Sequence, residues 1–354
     1  MKRVSAELLV RLVFELYVHA GVKHEDARLV SEYQVGANLA GHDSHGVYLV
    51  PVYLERIQKG QIVPNAPIEI LDETATTARV NGNWGFGQII ATRAMALCIS
   101  KARCSGVSVI TIFNQNHVGR LADYTLMAAG AGLVGMMMCD SGRSPKHVVP
   151  FGGREARLGT NPLSIAFPSN LEAPVVVDMA TSAVAGGKID IARARHEPVP
   201  LGWILDREGK PTTNPEDLQA GGMMLPLGGR EGHKGFALSF AVETLASLLP
   251  GIGFGVDLQA RHTDGSFLLA FDPSAFRPLD QFKADVTAFA SYLKATPPAP
   301  GFSEVLYPGE MEHRTEQGRR REGIPVEDET WSKLEVLANA AGLGVLLHIL
   351  TTSA

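Results

Sequence analysis

Cysteine is scarce in this chain of 354 residues. The three present, Cys98, Cys104 and Cys139, form no C-x-x-C pair and are odd in number. A disulfide-stapled scaffold is therefore excluded, and a reducing, cytoplasmic setting is expected. Long apolar runs are lacking too: no uncharged apolar stretch reaches the roughly 18 residues that a membrane helix needs. The opening "MKRVSAELLVRLVFELYVHAG" is broken by Glu7, Arg11 and Glu15, while Leu8, Leu9, Leu12, Val13 and Leu16 fall at helical spacing. It reads as an amphipathic helix rather than an export signal. Basic charge is not in excess. Lys and Arg number 32 against 37 Asp and Glu, a net charge of −5. No basic cluster interleaved with aromatics occurs, which argues against a nucleic-acid surface. The densest basic run, "HRTEQGRRRE" at 313–322, is mixed in sign and reads as a solvated helix face. Phosphate-binding loops, G-x-S-x-G elbows and H-E-x-x-H helices are all missing.

What is present is an apolar fraction of 45%, with 37 glycines and 21 prolines. That suits a substantial core with many turns, as in mixed α/β architecture, and the length suggests more than one core. Helices are expected over 5–20 and 25–40, and again after Ser44. From about residue 68, short apolar runs bounded by Gly, Asn, Asp and Pro read as strands: "ATTARVNG", "VSVITIFN", "GLVGMMMCD", "NPLSIAFP", "APVVVDMA" and, late, "GSFLLAFDP". Helices over 86–104, 120–131 and 234–249 separate some of them. Helices return from about 278, are interrupted by a loop, and close the chain over 328–348. The two helical ends are expected to pack as one discontinuous domain, 1–70 plus 280–354, around a sheet domain, 71–279. The chain termini would then lie close together.

A dinucleotide fingerprint needs a strand, G-x-G-x-x-G and a helix. "GFGQIIA" lacks the last glycine and "GIGFG" opens no helix, so the fold is expected to be non-Rossmann. A positional pattern is stronger. Apolar strands end in polar residues at His117, Asp140, Asp178 and Thr181, and Asn161 precedes another. Side chains at strand ends are held rigidly and still reach a cleft; the alternative is that Asn and Asp serve there as turn formers. In "GHDSHGV", 41–47, Ser44 is expected to cap a helix starting near His45. That would set His45 on the positive helix end and keep its imidazole neutral. Pro51 argues instead that the helix begins at 50. His42 and His45 as a metal pair, serving a metal-dependent hydrolase, lack a third ligand nearby. A hydrogen-bonded corner is the plainer reading.

The ordered motifs "GHDSHGV", "NQNHVGR", "GTNPLSIAFP", "VVVDMATS", "HKGFALS" and "LYPGEMEHR" resemble the malate/L-lactate/sulfolactate dehydrogenase family over nearly the whole chain. The resemblance implies a mixed, largely antiparallel sheet flanked by helices, and a homodimer with its active site near the interface. It implies reversible hydride transfer between NAD(P)H, here NADH, and a 2-oxo acid of malate, lactate or aryl-lactate type. Cyclic imino acid reduction and ureidoglycolate-type oxidation are the alternatives, and no metal is required. Ser44 and His45 match the family's Ser-His pair, and Asp178 matches its carboxylate, which would orient an imidazole. His117 matches the proton donor, with His45 as second choice. Cofactor contacts fall on His45, on Gly119, Arg120 and Leu121, and on Asp178, Met179, Ala180, Thr181 and Ser182. Further contacts fall on His233 and Lys234, and on Gly309, Glu310, Met311 and Glu312. Thr160 and Asn161 would bond the substrate or the cofactor amide. Many relatives carry an arginine four residues after the histidine of S-H-G, where this chain has Leu49. A carboxylate still calls for a cation, and Arg120 is the proposed replacement, against the alternative of a pair with Asp123.

Overall fold

The computed structural model describes residues 1–344, 346 and 347. A short strand β1 (Lys2–Val4) leads into α1 (Ala6–His19), α2 (His24–Leu39) and α3 (Val50–Gln58). Strands β2 (Glu69–Glu73) and β3 (Thr77–Gly85), helix α4 (Gly87–Ser105), β4 (Val107–Gln115), α5 (Ala122–Gly130), β5 (Val134–Asp140), β6 (Leu163–Phe167) and β7 (Val175–Met179) follow. Next come α6 (Gly186–Ala194), the two-residue strands β8 (Ile204–Leu205), β9 (Pro211–Thr212) and β10 (Met223–Met224) with the single turn α7 (Glu216–Gln219), and α8 (His233–Glu243). The chain ends with β11 (Asp264–Phe271), α9 (Leu279–Lys294), α10 (Glu310–Glu322), β12 (Ile324–Val326) and α11 (Asp328–Ala340). The expected closing helix is shorter than 328–348, and its residues 345 and 348 lie outside the described ones.

The main sheet has seven strands in the order β2-β3-β4-β11-β5-β6-β7. Only β3 and β4 run parallel within it. A parallel pair needs a crossover, which α4 supplies. The sheet is covered on both faces. Met137, Cys139, Leu268 and Ala270 pack beneath α4 and α5, with Met95, Cys98 and Tyr124. Their strand neighbours Met136, Met138, Phe267 and Leu269 turn the other way, against Val242 and Ala246. Both period-2 faces are therefore apolar, and the strands read as continuous apolar runs.

A second core joins the chain ends. Leu9, Leu12, Val13 and Tyr17 of α1 share it with Tyr53 and Leu54 of α3, Ile324 and Val326 of β12, and Trp331 and Leu334 of α11. Strand β1 pairs antiparallel with β12, and the N-terminal amine lies 3.2 Å from Asp328. The mixed-sign run 313–322 is not wholly a solvated face. On α10, Arg319 turns inward and grips Asp43 through both its oxygens, at 2.6 and 3.0 Å.

One charged cluster is buried under α8. Lys146 Nζ, 1% exposed, lies 3.3 Å from both Asp140 Oδ1 and Glu243 Oε1 and donates to the Gly142 carbonyl at 2.6 Å. Burial pushes the Asp140 carboxyl up to about 7, against the pull of Lys146. A carboxyl whose folded pKa stands above its unfolded one, about 3.9, takes up a proton on folding. Its contribution is most favourable below the unfolded value and is lost as pH rises through the folded one. In urea titrations the wild type should therefore lose stability relative to Asp140→Asn as pH rises from about 4 to about 7. Parallel curves would mean that Asp140 stays ionised throughout.

Candidate active site

A cleft of about 360 Å³ opens between β7, the start of α5 and the start of α10. Its apolar wall includes Ala122, Val176, Leu306 and Met311, and its polar groups include Arg120, Asp178, His42 and Glu312. His42 Nε2 lies 3.7 Å from Glu312 Oε1. An apolar wall for a flat ring, with carboxylates to accept from hydroxyls or an amide and one guanidinium, is a donor set that fits a nicotinamide nucleotide. Ring contacts carry the site inward from there, edge-on between His42 and His45 and stacked between His45 and His117. The His42 and His45 centroids are 6.5 Å apart, and His45 and His117 are stacked at 5.5 Å.

Ser44 does not cap a helix. Residues Asp43–His45 and Val47–Leu49 form successive 3-10 turns, and α3 starts at Val50 with Leu49 at its N-cap and Pro51 in its first turn. The expected dipole effect on His45 is therefore absent, and another cause keeps that imidazole neutral. Enclosure by protein pushes it down to about 3, with the nearby His117, His42 and Arg120 adding to the fall. Ser44 Oγ lies 3.2 Å from His45 Nδ1 and fixes the ring edge.

His117 follows β4. Its backbone is clamped by the first turn of α4: a Cβ on Gly87 would stand 2.1 Å from the Asn116 carbonyl oxygen and 2.5 Å from that of His117. Its ring is held by a residue that the sequence reading passed over. Tyr53 Oη lies 2.7 Å from His117 Nδ1 and donates to the His117 carbonyl at 3.2 Å. Gln88 Nε2 donates to Tyr53 Oη at 3.0 Å. With its proton on the carbonyl, the phenol oxygen accepts from Gln88 and from Nδ1–H, so Nε2 is left to exchange a proton. Burial lowers the His117 imidazole from its ordinary range, and the charge of Asp264 opposes that fall.

The other sequence-derived positions divide. Arg120, Asp178, Gly309, Met311 and Glu312 line the cleft. Arg120 is paired with Asp123 through Nε at 2.9 Å and through one terminal nitrogen. Asp178 Oδ2 accepts from the Ala122 amide at 2.8 Å, where an imidazole was expected. Burial raises its carboxyl to about 6. Glu310 is absorbed by Lys294 and Arg314. Leu121 lies in the sheet core. The Asn161 amide is buried and donates to Ser239 O at 3.2 Å and Glu243 Oε2 at 2.9 Å, so it is built into the fold rather than offered to a ligand. Thr160 offers its carbonyl to Thr181, and Ser182 bonds Val184 O. His233 and Lys234 face solvent beside Glu231. The sequence signal for Tyr53 was slight, an aromatic at helical spacing that reads as core. That for Asp264 was the pair His262-x-Asp264 ahead of an apolar run.

Known proteins resemble the chain over nearly its whole length. Residues 4–335 match the malate/L-lactate dehydrogenase family. L-sulfolactate dehydrogenase of Methanothermobacter thermautotrophicus is 37% identical, with 98% of this chain and 99% of that protein covered. Hydroxycarboxylate dehydrogenase B of Escherichia coli is 33% identical, over 96% and 95%. Malate dehydrogenase from Entamoeba histolytica superposes with a TM-score of 0.90 at 30% identity, over 96% of this chain and 98% of that one. The chain belongs to the malate/L-lactate dehydrogenase family and is a 2-hydroxyacid dehydrogenase, an oxidoreductase that exchanges hydride with a nicotinamide cofactor.

Proposed function

We propose that the protein reduces a 2-oxo acid to the 2-hydroxy acid, and runs the reverse reaction, with NADH and with His117 as the proton donor. The observation that carries this reading is the Tyr53–His117 contact at 2.7 Å beside a stacked His45, next to the cleft that holds Arg120 and Asp178. When bound, the cofactor supplies the hydride that reaches C2 of the substrate. The chain's part is the proton: Nε2 of the His117 imidazolium gives it to the C2 oxygen, and Nδ1–H stays on Tyr53. General acid catalysis of this kind contributes roughly 10²–10⁴-fold. His45, whose imidazole is pushed down to about 3 by burial, is neutral and serves to bind or polarise through its one N–H.

Asp178 and Glu312 would accept from cofactor hydroxyls or the amide. Arg120, half engaged by Asp123, would present its remaining nitrogen to the substrate carboxylate. NADH is favoured over NADPH because Arg193 and Arg195, the arginines considered for a 2′-phosphate, are taken up by Asp190 and Glu327. Leu49, where many relatives carry an arginine, packs against the terminal core and offers the substrate carboxylate no cation. The homodimer reading rests on the exposed apolar surface of α8 and the segment after it: Phe240 at 65%, Phe254 at 74% and Leu258 at 77%. The cytoplasmic reading rests on three free cysteines, two of them buried.

The test is a panel of phenylpyruvate, oxaloacetate and a cyclic imino acid with NADH and NADPH, followed by nicotinamide absorbance. Turnover of 2-oxo acids, faster with NADH, is expected; turnover of the imine alone would overturn the substrate class. Tyr53→Phe should lower kcat roughly tenfold or more, with the KM for NADH retained. It should also cost about 1–3 kcal/mol for the stranded Gln88 amide. Arg120→Leu should raise the KM for the 2-oxo acid at least about tenfold, the loss of roughly one charge-assisted hydrogen bond. A rise confined to the KM for NADH would instead assign Arg120 to the cofactor.

A further inference from the structure

A histidine that must be protonated in order to give a proton sits uneasily in a buried place, because burial favours its neutral form. The titratable groups facing His117 come from three directions. His45 stacks on it from the 43–45 turn and Tyr53 bonds it from α3, while the charges of Arg56, also on α3, and of His262 and Asp264, on β11 and the loop before it, act on the ring. Among these groups only Asp264 is an anion at neutral pH. Asp178, the carboxylate expected to serve an imidazole, is occupied with the Ala122 amide.

Asp264 is built into place. It pairs with Gln115, two residues before His117, at the end of the β4–β11 ladder. The register then slips between Asp264 and Ser266, a bulge that re-aims the strand end. Gly265 lets the π-helical turn after α8 close on the bulge, since a Cβ there would stand 1.9 Å from the Ala246 carbonyl. The Asp264 side chain is 7% exposed. Its Oδ1 lies 3.0 Å from His262 Nε2, and Ser144 Oγ lies 2.6 Å from His262 Nδ1. Arg261 ties the same loop to the end of α3 by bonding the Gly60 carbonyl at 2.5 Å. Although Asp264 is buried, His262, His117 and Arg56 hold its carboxyl below the ordinary range, so the group is charged.

We propose that Asp264, steadied by His262 and Ser144, is the counter-ion that keeps buried His117 able to carry its proton. It is a positioning residue acting through His117, and the idea rests on the reading of His117 as proton donor. In the reducing direction, the carboxylate stabilises the imidazolium until Nε2–H passes to the substrate oxygen. The O–H bond forms as the N–H bond breaks, C2 accepts hydride, and a neutral Nδ1–H imidazole remains. The Asp264–His262 pair itself gains and loses nothing.

The experiment follows the ring protons of His117 by NMR in the ligand-free protein, alongside the pH profile of kcat/KM for reduction. In Asp264→Asn the His117 midpoint and the alkaline limb of the profile should both move to lower pH by roughly one unit or more, with activity recovering at acid pH. Asp264→Ser, which removes the charge with less bulk, should do the same, and Asp264→Glu should restore the wild-type position in part. An unmoved midpoint in either cooperatively folded variant overturns the proposal. Should neither variant fold, the wild-type titration decides. A midpoint below about 5, against the ordinary value of about 6.5, would show that no effective anion faces the ring; a midpoint nearer neutral supports the assignment. A shifted midpoint in a protein that turns over no 2-oxo acid would leave this assignment standing and remove the substrate reading.

Discussion

The placement of the reactive imidazole depends on one close backbone approach. The first turn of α4 lies so near residues 116 and 117 that no side chain fits at Gly87. Helix α4 is also the crossover that makes β3 and β4 parallel. The same covalent stretch thus sets the sheet's handed connection and pins the peptide carrying His117. Asn116 adds a lock by donating to the carbonyls of Gln61 and Trp84, at 3.1 and 2.9 Å. A side chain on so fixed a backbone needs little ordering when substrate arrives, which is how a rigid scaffold lends rate to a loop residue.

The site is a meeting of three layers. The terminal helices bring Tyr53, His42 and His45. The sheet brings His117, Asp178 and Asp264 at strand ends. Helix α10 brings Glu312 and, through Arg319 on Asp43, anchors the turn that holds His45. This explains why the cleft wall and the histidine pair adjoin without coinciding. The cleft takes the shape of a flat, partly apolar ligand, while the imidazoles lie behind His42, where water is less free to compete.

Much of this was legible in the sequence. The strands of the sheet announced themselves as short apolar runs, and each long helix of the first half lies within a few residues of its expected span. His117 and Asp178 stood out because polar groups at strand exits are unusual enough to notice, and Arg120 because Leu49 leaves a carboxylate without its usual cation. The misses share a cause. Ser44 reads as a cap by local chemistry, but the chain spends two 3-10 turns before α3, a choice set by the Asn38, Asp43 and Arg319 contacts. Asn161 reads as a ligand group or a turn former; it is at once a left-handed residue and a buried donor to a helix far along the chain. Tyr53 hid among apolar neighbours because its hydroxyl finds its partners 35 and 64 residues away. Contacts between distant segments leave no local pattern to read.

The pairing of β1 with β12 has a consequence for how the chain is made. Leu9 and Tyr17 emerge from the ribosome long before Trp331 and Leu334, which share their core. Helix α1 must wait, part of its apolar stripe uncovered, until α11 has been made. The sheet can assemble while the part of that stripe left open by α2 and α3 is unsheltered, so the nascent chain carries an adhesive patch that β12 and α11 close.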